Sequence, residues 1–153
     1  MISFKNFVIE RINLDVGFVA VKPIKEHADL LISMANKMNL KQIVPKDELH
    51  CTLMYSRVPL NDIYMPCKNV HEVTLTGWGF LNYCFVVFLE SASLRVRNNE
   101  LKLMCGGVSD YKDYTPHITL SYKKQTVIND EINTAFQNYN LLLDNEYYDK
   151  LKE

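Results

Sequence analysis

Hydrophobic and polar positions along this chain alternate in short runs, interrupted by stretches with helical spacing. Val16-Gly17-Phe18-Val19-Ala20-Val21 reads as a first buried strand, closed by Lys22-Pro23. From Lys25 to Asn39 the residues Ala28, Leu31, Ile32, Ala35 and Met38 recur at helical spacing, behind a Pro23 that suits a helix entry. Glu72 to Phe80 alternates Val73, Leu75 and Gly77 against Thr74, Thr76 and Trp78, which puts Trp78 on the polar face of a strand. Leu81-Asn82-Tyr83 is a tight turn, and Cys84 to Leu89, apolar on both faces, reads as a central strand. Ser91 or Ser93 can cap a helix running to about Met104, with Gly106-Gly107 as its terminator. Thr126 to Tyr139 carries a stripe of Ile128, Ile132, Ala135 and Tyr139, a further helix, and Leu141 to Tyr148 closes as a last strand. Residues 1–15 read as a short helix or an arm, and 150–153 as a fraying end.

Two of the short strands are twins. His50-Cys51-Thr52-Leu53-Met54-Tyr55 and His117-Ile118-Thr119-Leu120-Ser121-Tyr122 share the pattern His-x-Thr-Leu-x-Tyr, and the chain has only four histidines. At ordinary residue usage, two of four histidines sharing x-Thr-Leu has a chance of roughly one in ten thousand. Strict strand alternation puts His50 and Thr52 on one face and Leu53 and Tyr55 on the other, and the second copy repeats this. Each strand then offers an imidazole and a hydroxyl while the opposite face anchors it. The element order suggests two similar lobes, each presenting one His strand.

Composition narrows the setting. The 153 residues, 48% hydrophobic and 23% charged, read as one globular domain over 1–153. A net charge of -1 argues against a protein that grips long nucleic acid, and leaves room for a small anionic ligand. Cys51, Cys67, Cys84 and Cys105 form no C-x-x-C pair and read as free buried thiols of a reducing compartment. Glu10, Arg11 and Asp15 interrupt any signal-like run, and the longest apolar stretch, Tyr83 to Leu89, is far short of a membrane span. The expectation is a cytoplasmic protein with no membrane association and no obligate protein partner.

Two imidazoles facing one cleft suit phosphodiester chemistry. Histidine titrates near neutrality, so one ring can take a proton while the other gives one at the same pH. Thr52 and Thr119 would hold non-bridging phosphate oxygens as charge builds on them. A single strand histidine is more often a core residue than a catalyst; two in matched motifs reverse that weighting. A zinc site is the competing chemistry, but two His-x-Thr units supply only two good ligands, so no metal and no cofactor is expected. His27 and His71, outside any motif, read as surface or packing residues.

With these residues the chain resembles the two-histidine (2H) phosphoesterase superfamily, which includes RNA 2′,3′-cyclic phosphodiesterases of the LigT type. The resemblance implies an α+β, bilobal LigT-like fold, two antiparallel sheets around a central groove with flanking helices, and one His-x-Thr from each lobe. The segment Tyr111-Lys112-Asp113-Tyr114-Thr115-Pro116-His117-Ile118-Thr119-Leu120-Ser121-Tyr122, with the compact length, is similar to phage anti-CBASS nucleases, which destroy cyclic di- and trinucleotide signals of bacterial immunity. That resemblance implies His50, Thr52, His117 and Thr119 as catalytic residues, Trp78 as a base clamp, Phe18 in place of an early tyrosine, and Glu146 as a base reader. Read from the residues themselves, Phe18 is as well a core residue, Glu146 a solvent-exposed strand residue, and Tyr111 and Tyr114 either lid the pocket or pack.

Three functions follow, two within one superfamily and one from another class. One is a metal-independent phosphodiesterase for cyclic di- and trinucleotides such as 3′,3′-cGAMP. Another is an RNA 2′,3′-cyclic phosphodiesterase, which the near-neutral charge disfavours. The last is a protein that sequesters a nucleotide without chemistry, unnecessary to suppose while both histidines and both threonines are intact.

Overall fold

The computed structural model describes residues 17–123 and 138–150. Its elements are β1 (Gly17–Pro23), α1 (Lys25–Lys37), β2 (Cys51–Tyr55), β3 (His71–Leu81), β4 (Cys84–Glu90), α2 (Ala92–Leu103), β5 (His117–Ser121) and β6 (Tyr139–Lys150). The N-terminal arm and the body of the helix anticipated over 126–139 lie outside the described residues. Tyr139, assigned to that helix from its spacing, is instead the first residue of β6.

The local choices follow from the sequence. Ser91 caps α2, its Oγ accepting from the Leu94 N–H at 3.3 Å. Asn82 and Tyr83 both take positive φ, 48° and 71°, and close a two-residue hairpin between β3 and β4, the geometry of a primed turn. Gly17 approaches β6 so closely that a Cβ there would collide with the Asp149 carbonyl. Ala28, Leu31, Met34 and Ala35 of α1 enter the same core cluster as Val19, Val21, Leu53, Ile118 and Leu120.

The six strands form one antiparallel ring in the order β1-β2-β5-β4-β3-β6. Where two separate sheets were anticipated, both gaps between them are bridged. β3 pairs with β6 from His71–Leu143 to Leu75–Tyr139, and β2 meets β5 at Cys51–Ile118. Each His strand still ends its own three-strand arc, β6-β1-β2 on one side and β3-β4-β5 on the other.

Four bulges decide which side chains face the cleft. The register steps past Leu53 in β2, Thr76 in β3, Leu120 in β5 and Asn145 in β6, each strand carrying one residue more than its partner there. Asn145 takes φ 56°, the left-handed conformation an asparagine tolerates. Because side chains alternate with a period of two, each extra residue exchanges the faces of everything beyond it.

The exchanges at Leu53 and Leu120 correct the anticipated orientation of the motif tyrosines. Beyond Leu53, Tyr55 pairs with Phe18 on the cleft side rather than anchoring with the core, and beyond Leu120 Tyr122 likewise lines the cleft. The bulge at Thr76 moves Trp78 off the polar face: it pairs with Val87 and stacks on the buried Phe85 at 5.3 Å. The bulge at Asn145 carries Glu146 into the interior, leaving it only 7% exposed.

Candidate active site

Cys51 opposite Ile118 is the register that assembles the site. Both of those residues are fully buried. Extending the register one residue each way sets His50 across from Thr119 and Thr52 across from His117 on the opposite, cleft-facing side. The two histidines are then diagonal neighbours across the seam, and both line the same cleft.

The two rings are held identically. His50 Nδ1 lies 2.8 Å from the Glu48 carbonyl and His117 Nδ1 lies 2.8 Å from the Thr115 carbonyl. A carbonyl only accepts, so Nδ1–H is the donor in each neutral ring and Nε2 is left to exchange a proton with a ligand. In both copies the carbonyl belongs to the residue two positions upstream.

The bulges of the two His strands are braced from outside their strands. Tyr114 donates its hydroxyl to the Thr52 carbonyl at 2.9 Å, and Asn98 of α2 donates Nδ2–H to the Leu53 carbonyl at 2.6 Å. The Leu120 carbonyl accepts from the Val44 N–H at 2.8 Å, and Ser121 donates its hydroxyl to the Lys41 carbonyl at 2.5 Å. Arg95, paired through two bonds to Glu90, also donates to the Tyr114 carbonyl at 3.1 Å. Burial pushes the Cys51 thiol up to about 11, so it stays protonated beneath the site.

The cleft has two chambers, of about 510 and 550 Å³, whose shared walls are Thr52, Tyr55, His117, Thr119 and Tyr122. The first also holds His50, Phe18, Lys22 and Tyr147; the second also holds Asn82, Lys102 and Tyr111. Burial, followed by the nearby Tyr55, raises the Tyr122 hydroxyl above its ordinary pKa, and burial and Asp149 push Tyr147 up to about 12. Both are neutral phenols at physiological pH. Among the described residues no three His, Cys, Asp or Glu side chains gather as a metal site.

The anticipated site residues divide. His50, Thr52, His117 and Thr119 come together, and Phe18 joins them, its ring stacked on His50 at 5.7 Å. Trp78 and Glu146 line neither chamber. Trp78 is held in the Phe80–Phe85 cluster. Glu146 takes two bonds from the Arg97 guanidinium, at 2.7 and 2.8 Å, and further bonds from the Tyr64 hydroxyl and the Cys67 N–H. Both loop tyrosines line the second chamber, and Tyr114 also packs as a brace through its hydroxyl bond to the Thr52 carbonyl. His27 and His71 fill packing roles, His27 Nδ1 accepting from the Leu142 N–H and His71 Nδ1 lying 2.8 Å from the Ser93 hydroxyl. Tyr55, Tyr122 and Tyr147 were missed by the sequence reading, although the first two stand inside the repeated motif.

Paired His-x-Thr strands on a common cleft are the arrangement that the resemblance to the two-histidine phosphoesterase superfamily anticipates. The profile of the family described as Anti-CBASS protein Acb1 matches residues 16–153. Relatives carrying that name include one from Enterobacteria phage T4, 34% identical over 128 residues, covering 80% of this chain and 78% of the relative. Another, from Vibrio phage KVP40, is 30% identical over 138 residues, covering 88% of this chain and 86% of the relative. The chain belongs to the Acb1 anti-CBASS family. Among solved structures, that of TT0787 from Thermus thermophilus aligns over 86% of this chain and 82% of its own, with a TM-score of 0.48 and 16% identity.

Proposed function

We propose that this protein is a metal-independent phosphodiesterase that opens cyclic di- and trinucleotide signals, and that a phage uses it to evade CBASS immunity. The observation that carries the reading is the matched presentation of His50 and His117. Each ring is pinned through Nδ1 to a carbonyl two residues upstream, and each leaves Nε2 for proton transfer. The family membership supports the anti-CBASS role.

In the first step one histidine takes the proton of a ribose 2′-OH. The 2′-oxygen attacks the adjacent phosphorus, the bond from phosphorus to O5′ breaks, and the other histidine protonates O5′. The product is linear and ends in a 2′,3′-cyclic phosphate. With roles exchanged, the same pair can add water to that end. In this reading Thr52 and Thr119, which line the cleft, donate their hydroxyls to the non-bridging oxygens as negative charge grows on them. Phe18 backs the His50 ring.

The test is incubation with 3′,3′-cGAMP and other cyclic dinucleotides in EDTA, with products resolved by chromatography. Linear products are the expected result. No cleavage of any of them, or cleavage restored only by an added metal ion, sinks the proposal.

A further inference from the structure

The repeated motif has a member that the two-histidine chemistry does not use: the tyrosine that ends each copy. Its position is built rather than incidental. In both strands the leucine after the threonine is the bulged residue, and the bulge turns the following tyrosine back to the face of its own His and Thr. Without the bulge, Tyr55 and Tyr122 would point into the core, where a phenol needs a buried partner. Both bulges are braced through their carbonyls by other parts of the chain.

The outcome is a symmetric arrangement. Tyr55 and Tyr122 each line both chambers, and they remain 44% and 59% exposed. Tyr55 leans on Phe18 at 5.4 Å with a 47° tilt, so its ring is backed on one side and open to the cleft. An exposed aromatic ring fixed at the wall between two nucleoside-sized chambers is a surface for a nucleobase. Every base has a π-face, and such contacts tolerate a change of base.

We infer that Tyr55 and Tyr122 are substrate-contacting residues that stack on the nucleosides flanking the reacting phosphate, and that the working motif is His, Thr and Tyr on each strand. The assignment rests on the cleft being the ligand site and deepens the reading given above.

The experiment compares wild type with Tyr55→Ala, Tyr55→Phe, Tyr122→Ala and Tyr122→Phe, using 3′,3′-cGAMP. Steady-state cleavage is followed, with calorimetric binding to His117→Ala carrying the same tyrosine substitutions. Each alanine variant should raise KM or Kd about ten- to a hundredfold, the size of a lost base–aromatic contact, while the phenylalanine variants stay within about threefold. Since both side chains are exposed, melting temperatures should move by only about 2 °C. Alanine variants that cleave and bind like wild type overturn the assignment. So do phenylalanine variants as weak as the alanine ones, which would make the hydroxyl the contact. If wild type binds the dinucleotide but never cleaves it, the phosphodiesterase reading fails while the tyrosine assignment stands or falls on the binding arm. Absence of both binding and cleavage overturns both.

Discussion

Tyr114 donates its hydroxyl to the backbone carbonyl of Thr52 at 2.9 Å, tying the approach to one His strand onto the middle of the other. Tyr114 lies three residues before His117, and the two strands share only the Cys51–Ile118 register pair. Tyr114→Phe keeps the ring and removes this tie, leaving the Thr52 carbonyl without that donor. Stability should fall by about 1 kcal/mol in denaturant unfolding. Because the brace sets the spacing of the two His-x-Thr units, kcat for a cyclic dinucleotide should fall about tenfold with KM nearly unchanged. Equal losses in kcat and in folded fraction would reduce Tyr114 to a structural residue.

His50→Ala and His117→Ala should each lower kcat by at least about a hundredfold, as loss of a positioned acid or base does. Neither ring carries the core, so both variants should melt near wild type. The double variant should be little worse than either single one, since the two rings act as one unit. A single variant that keeps wild-type turnover would leave one histidine without a catalytic role.

The Arg97–Glu146 pair makes a different kind of prediction. Both side chains are almost completely shielded, and Arg97 also donates to the Met65 carbonyl, so the pair fastens the loop after β2 to α2 and β6. Glu146→Ala leaves a buried guanidinium without its main partner and should cost about 3–5 kcal/mol. Unfolding curves should show the loss, while the folded fraction still cleaves. A variant of normal stability with altered base preference would restore Glu146 as a base reader.

His71 predicts a pH dependence of stability. Burial holds its imidazole below the ordinary pKa, and it lies against Ser93 inside the fold. The unfolded chain therefore binds the proton more readily than the folded one. The neutral-ring contribution is fully present above the ordinary value of about 6.5 and is lost as pH falls through it toward the folded value. Melting temperature should drop more between pH 7.5 and 5.5 in wild type than in His71→Gln. Parallel drops would place the dependence on other groups.

That the two His-x-Thr units share a cleft was legible because identity and spacing are enough for it: two copies of the motif on β-forming segments must present those side chains on one face each. Most elements were equally plain, from the α1 stripe of Ala28, Leu31 and Ala35 to the Asn82-Tyr83 turn. What could not be read were the bulges. No residue type marks Leu53, Thr76 or Leu120 as an extra position, since a bulge is set by the partner strand. Strict alternation then sent Trp78 to the wrong face and hid Tyr55 and Tyr122. Glu146 was misread for the same reason, with Asn145 as the one local hint, an asparagine able to take positive φ. The closed ring was illegible too, because pairing of β3 with β6 is a contact between distant parts of the chain.

The seam between β2 and β5 has a consequence for how competence arises. The hairpin of β3 and β4 can form from neighbouring residues, whereas the seam joins segments separated by more than a third of the chain and is held by one register pair. Local pairings form first, and distant ones must overcome a larger loss of chain freedom. His50 and His117 therefore share a cleft only after the ring has closed. A chain with most of its secondary structure but an open seam would look folded in a circular dichroism spectrum and hold the two halves of the cleft apart, so under the proposed function turnover would report the completed topology more stringently than any measure of strand or helix content.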